Sequence, residues 1–235
     1  MATNEYGQPV GQPVAGWTAR PHPPRTPMQG QWCRVEKLAP HHAGDLAAAF
    51  LAAPDGRDWT YLSVDRPADA AAFAAYVAKI AASDDPLHHA ILDASGRAVG
   101  SAALMRIDPA NGAIEVGSIA YSPALKATRA GTEAMYLLMR RAFDELGYRR
   151  YEWKCNALNA PSRRAAERYG FRFEGIFRQA VVTKGRNRDT AWFSILDGEW
   201  PAVRAAFEAW LAPENFDADG RQRRTLAAIR AGGAA

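Results

Sequence analysis

The sequence predicts an α/β (α+β) fold: a mixed, mainly antiparallel twisted sheet with flanking helices. Three observations carry it. Strand-like segments punctuated by Asp, Gly and Pro follow one another from His88 to Tyr121, which reads as an antiparallel meander. A strand–loop–helix–strand run then extends from Ala113 to Cys155, the pattern of one βαβ crossover. Finally, 48% of the 235 residues are apolar, enough to bury a core.

Residues 1–30 are rich in Pro and Gly and poor in aliphatics, so alone they cannot offset their ordering entropy. They read as an extended arm that Tyr6 and Trp17 anchor, or as a flexible tail. Trp32 to Leu38 reads as the first strand, and His41 to Leu51 as a helix with Leu46, Phe50 and Leu51 on one side. Arg57 to Leu62 is a loop carrying Trp59 and Tyr61. Asp65-Arg66-Pro67 opens a helix to about Ser83, with Phe73, Tyr76, Val77 and Ile80 at helical spacing.

His88–Leu92, Ala98–Ile107 and Ala113–Tyr121 read as strands, with turns at Asp93–Arg97 and Asp108–Gly112. A helix runs on to Gly147, and Arg150–Cys155 is a further strand. Asn159–Tyr169 is a helix that Gly170 ends. Two strands, Phe171–Gln179 and Asp189–Ile195, are joined by a basic loop, Lys184 to Arg188. Glu199–Leu211 is a helix with an aromatic side, and Gly220–Arg230 a final basic helix. The division expected is an arm (1–30), one domain (31–212) and a basic helical extension (213–235).

Net charge is +4, but Lys126 to Asp189 holds 15 basic and 7 acidic residues. An anionic ligand is therefore expected in that half, and the acidic remainder favours a cationic partner. Cys33 and Cys155 have neither disulfide-framework nor metal-ligand spacing. Without a long apolar run or a signal-peptide core, the chain is expected to be cytoplasmic, off the membrane and metal-free.

Tyr121 to Gly147 is the stretch most suited to chemistry. It places a short basic loop with small residues at a helix start, where unpaired N–H groups can hold a phosphate. An ordinary strand-to-helix turn fits the same residues.

Four pieces in order narrow this: Glu115-Val116-Gly117 leading to Tyr121-Ser122-Pro123; the loop Lys126-Ala127-Thr128-Arg129-Ala130-Gly131 followed by Thr132; Asn159-Ala-Pro-Ser162; and Gly170-Phe171 with Glu174-Gly175. Together they resemble the GNAT superfamily of acetyl-CoA-dependent N-acetyltransferases, and within it the ribosomal-protein Ser/Ala (RimJ/RimL-type) subgroup, over about Trp32 to Trp200.

The resemblance implies a GNAT-like sheet with one splayed strand pair and acetyl-CoA as co-substrate. The acceptor would be a primary amine, on a protein N-terminus or a small molecule. A homodimer is common in the subgroup. It places pantetheine along Ile119, Ala120 and Tyr121, and pyrophosphate on Lys126 to Thr132. Asn159 would bond the pantetheine arm and Ser162 protonate the leaving thiolate, although both also suit helix capping.

Glu115 is the candidate base, or else one half of a cross-strand salt bridge. Trp59 and Tyr61 either cover the acceptor pocket or belong to the core. Two positions depart from the family pattern. Arg129 stands where the loop usually has its first glycine, and Ala166 stands where many relatives carry a tyrosine acid. Those departures keep a non-catalytic acyl-CoA-binding protein as the alternative. Nucleic acid binding ranks last, because no aromatic platform is interleaved with the basic residues.

Overall fold

The computed structural model describes residues 2–232. A small hairpin of β1 (Ala2–Thr3) and β2 (Pro9–Val10) stands apart. The main sheet contains β3 (Met28–Gln29), β4 (Arg34–Lys37), β5 (Leu87–Leu92), β6 (Ala98–Asp108), β7 (Ala113–Tyr121), β8 (Arg150–Asn156), β9 (Arg172–Thr183) and β10 (Arg186–Leu196). Its order is β3-β4-β5-β6-β7-β8-β10-β9, and among the described residues only β7 and β8 pair in parallel.

The helices are α1 (Ala43–Leu51), α2 (Ala70–Ala81), α3 (Arg129–Arg140, continued by a wider turn to Glu145), α4 (Ala160–Tyr169), α5 (Trp200–Leu211) and α6 (Leu226–Gly232). One sheet face buries Ile114, Val116, Tyr151 and Phe193 against α3 and α5. The other packs Leu38, Ala90 and Leu92 against α1 and α2. A buried side chain of this size contributes about 1.5–3 kcal/mol. No helix is long and apolar enough to cross a membrane.

Several boundaries differ from the sequence reading. α2 starts at Ala70, where Asp69 caps it by accepting the Ala72 N–H at 2.8 Å; Asp65 instead pairs with Lys184. The supposed basic loop is mostly strand. Lys184 and Gly185 alone turn the hairpin, with φ of 51° and 69°, as a two-residue turn matching strand twist requires. The last helix is short, and Phe216 and Gln222 form a bridge before it.

The arm is held against the domain. Trp17 Nε1 donates to the Ala110 carbonyl at 2.8 Å and Tyr148 donates to that of Pro21 at 3.1 Å, whereas Tyr6 is 77% exposed and anchors nothing. Where the arm meets the sheet, the Glu133 carboxylate of α3 accepts N–H groups from Gln31, Trp32 and Cys33 at 2.7, 2.6 and 2.9 Å. Gly30 makes room for it, since a Cβ there would lie 2.3 Å from a Glu133 oxygen.

Candidate active site

The wedge begins where β7 and β8 part. Their parallel register ends at Val116↔Trp153. Beyond it β7 is bent by an extra residue against β6, with Ser118 at φ 48°, so Gly117–Tyr121 turns away from Lys154–Asn156. The ladder groups facing the gap have lost their strand partner, which suits an extended chain bearing amides. A cavity of about 1430 Å³ fills the gap and runs past both ends of it.

Glu115, Ile119, Ala120, Tyr121, Lys126, Ala127, Thr128, Arg129, Gly131, Thr132, Asn159 and Ser162 line this cavity, as do Trp59 and Tyr61. Of the expected site residues, Ala130 alone is missing from the lining; it packs against the core, as Ile119 and Tyr121 also do.

At one end lies the start of α3. Thr128 caps it, accepting the Gly131 N–H at 3.0 Å, and Ala127 takes a left-handed φ of 58° to shape the approach. Gly131 is required there, since a Cβ would sit 2.6 Å from the Leu125 carbonyl oxygen. Lys126 is ion-paired with Asp58. The Arg129 guanidinium lies between two rings, 3.7 Å from the Phe216 centroid and 4.7 Å from that of Trp32. It is thus held at the side of the loop by Trp32, just before the sheet, and by the C-terminal segment. Arg168 of α4, which the sequence reading passed over, donates to Thr132 Oγ1 at 3.2 Å and brings a second guanidinium to this end.

Glu115 is 4% exposed. Its Oε2 meets Lys154 Nζ at 2.9 Å and Arg106 Nε at 3.0 Å, so the cross-strand salt bridge is present. Burial pushes the Glu115 carboxyl above its ordinary range, Lys154 and Arg106 pull it back, and Glu152 adds to the rise. Lys154 also pairs with Glu152 at 2.6 Å and lies over the Trp192 ring at 3.8 Å. Lys154 was not anticipated; the alternation Glu152-Trp153-Lys154 opposite Glu115 was its only trace in the sequence.

Asn159 caps α4, its Oδ1 accepting the Ser162 N–H at 3.1 Å. Ser162 Oγ accepts from Trp153 Nε1 at 3.0 Å and also neighbours the buried Cys155 thiol, which desolvation raises. Ala166 and Tyr169 are both buried, and burial pushes the Tyr169 hydroxyl up. Trp59 belongs to the core: it is 3% exposed and packs edge-on against Phe50, Phe73 and Tyr76. Tyr61 is the partly exposed member of that loop.

Outside the cavity, Glu36, His41 and His42 offer metal-type atoms within 4.8 Å of one another. The His42 ring is already engaged, by the Ala39 N–H at Nδ1 and by Glu36 at Nε2.

A mixed sheet splayed beside a capped, basic helix start is the arrangement that the resemblance to acetyl-CoA-dependent transferases implies. Residues 34–172 match the acetyltransferase (GNAT) domain, and the chain belongs to that family. A GCN5-related N-acetyltransferase from Brucella melitensis is 53% identical, covering 93% of this chain and 100% of its own, with a TM-score of 0.90. A probable GNAT-family acetyltransferase from Chromobacterium violaceum is 40% identical, covering 83% and 98%, with a TM-score of 0.76. An acetyl transferase from Salmonella typhimurium that modifies the N-terminal serine of a 50S ribosomal subunit protein shares the fold at 17% identity, covering 71% and 96%, with a TM-score of 0.59. No functionally curated protein matches the chain. The chain is thus a GNAT acetyltransferase, a family that transfers acetyl groups from acetyl-CoA.

Proposed function

We propose that the protein moves the acetyl group to a primary amine by direct attack. The observation that carries this is the single cavity joining the capped start of α3 to the Glu115–Lys154 cluster through the β7–β8 gap. The α3 start and Arg129 would hold the pyrophosphate, and the open β7 groups at Ile119–Tyr121 the pantetheine amides.

Glu115 takes the proton of the attacking amine, through water. The amine nitrogen bonds to the thioester carbon, whose oxygen becomes negative, and the carbon–sulfur bond then breaks. Ser162 relays a proton from water to the thiolate, taking one up as it passes its own on, since its Oγ accepts from Trp153 and its O–H can point towards the sulfur. No acyl-enzyme is needed, and the buried Cys155 has no nucleophilic role. The acceptor is a small amine or a protein N-terminus, the latter suggested by the Salmonella neighbour.

The test is thiol release from acetyl-CoA with a panel of amines and N-terminal peptides, alongside calorimetric binding. Acetyl-CoA binding without turnover on any acceptor would replace this reading with the non-catalytic alternative.

A further inference from the structure

The β10 wall of the cavity carries a row of groups that the proposed reaction does not use. Arg188, Thr190 and Trp192 alternate along β10, so they share one face, and all three line the cavity. Register sets Trp192 opposite Lys154 and Thr190 opposite Asn156, which places the row on the side of the sheet bearing the Glu152–Lys154 pair. Arg188 Nε, Thr190 Oγ1 and Trp192 Nε1 are closed off from solvent and have no hydrogen-bond partner in the protein. Thr190 is only 5% exposed. Buried polar groups are normally satisfied, and three unsatisfied donors on one cavity wall call for an acceptor from outside.

Charge points the same way. Around the cavity, Arg57 pairs with Asp55, Lys126 with Asp58, Lys184 with Asp65, and both Arg106 and Lys154 with Glu115. Arg188, like Arg129 and Arg168 elsewhere on the lining, has no carboxylate partner among the described residues, and its Nε makes no hydrogen bond. Asp55, Asp58, Asp65 and Glu115, the acids of the N-terminal half nearest the cavity, are taken up in these pairs. Beside the row, Phe177 stacks on Trp192 with centroids 4.3 Å apart, an apolar wall next to the donors.

We propose that Arg188, with Thr190 and Trp192, binds a carboxylate on the amine acceptor, so that the preferred acceptors are amino carboxylates with an apolar body, the simplest being a free amino acid. This rests on the acetyltransferase reading above. Arg is suited to the task because its fork meets both carboxylate oxygens.

The experiment compares matched acceptors at one pH, L-phenylalanine against phenethylamine and L-leucine against 3-methylbutylamine, by thiol release. It uses the full chain and the variants R188Q, R188K and T190V, with circular dichroism verifying that each folds and calorimetry giving the Kd for acetyl-CoA. Each amino acid is expected to exceed its decarboxylated partner at least tenfold in kcat/KM. R188Q should bring that ratio near one, through KM, and R188K and T190V should reduce it less. Equal kcat/KM within the pairs, an undiminished ratio in R188Q, or no turnover of either amino acid overturns the proposal. Failure of the wild-type chain to bind acetyl-CoA would instead sink the acetyltransferase reading itself. Binding with turnover confined to amines or N-terminal peptides leaves that reading standing and removes this one.

Discussion

Lys154 Nζ lies 2.9 Å from Glu115 Oε2, across the last paired turn of the parallel β7–β8 ladder before the strands part. A cation planted at the fork of the wedge thus opposes the upward pull of burial on the candidate base. Lys154→Met removes the strongest influence lowering the Glu115 pKa, which burial already raises. The acid limb of the kcat/KM profile should move to higher pH, because Glu115 must lose its proton to work. A profile that stays in place assigns the pair a structural role.

Glu115→Gln removes the proton acceptor and keeps the shape. Turnover should fall by about 10²–10⁴-fold, the usual worth of a positioned base, with acetyl-CoA affinity little altered. Stopped-flow rates and calorimetry on one preparation separate the two effects.

Gly131→Ala tests the proposed phosphate end. The added Cβ meets the Leu125 carbonyl oxygen at 2.6 Å and Tyr121 Cε2 at 3.1 Å, so the start of α3 must shift. Stability should drop by about 1–3 kcal/mol, the usual cost of overpacking, and acetyl-CoA binding should weaken. Thermal melting and calorimetry read both.

Ser162→Ala strips Trp153 Nε1 of its acceptor. The loss should be about 1–3 kcal/mol of stability for the orphaned donor, together with a lower kcat. In Trp153→Phe the donor and its need vanish together. That variant should therefore keep more turnover than Ser162→Ala if the serine hydroxyl serves the reaction.

His88 and His89 are buried in β5, which lowers their pKa values to about 4 and about 3. Their unfolded values lie near 6.5, so the unfolded chain binds more protons between the two limits. Stability from this pair is full above about pH 6.5 and is lost as pH falls towards 4 and 3. Near pH 5 the slope should approach about 1.4 kcal/mol per pH unit for each histidine. Chemical denaturation from pH 7.5 to 4.5 measures it; a flat profile would show that other groups compensate.

The central elements were legible because local and global signals agreed. Ala113–Tyr121 was bounded correctly, and Gly170, at φ 102°, ends α4 as expected. The hairpin was less legible. Most β9 side chains are exposed, so no burial alternation marks that strand, and the turn needs a left-handed Lys184, which sequence does not announce. Reading Arg186–Arg188 as loop hid the alternation of Arg188, Thr190 and Trp192. Within the site, the family motif located the cavity lining, but cross-strand partnerships such as Lys154–Glu115 depend on register. Trp59 is read correctly only once α1 and α2 are seen to close over it.

Glu133 gives the molecule an internal gauge. Its carboxylate collects three consecutive backbone N–H groups at the sheet edge, while its helix begins four residues earlier at the loop proposed to hold the pyrophosphate. The amides of Gln31, Trp32 and Cys33 can exchange with solvent deuterium only when that carboxylate lets go. Their exchange rates therefore count how often α3 detaches from the segment that leads into the sheet, and they do so without a label or a substrate.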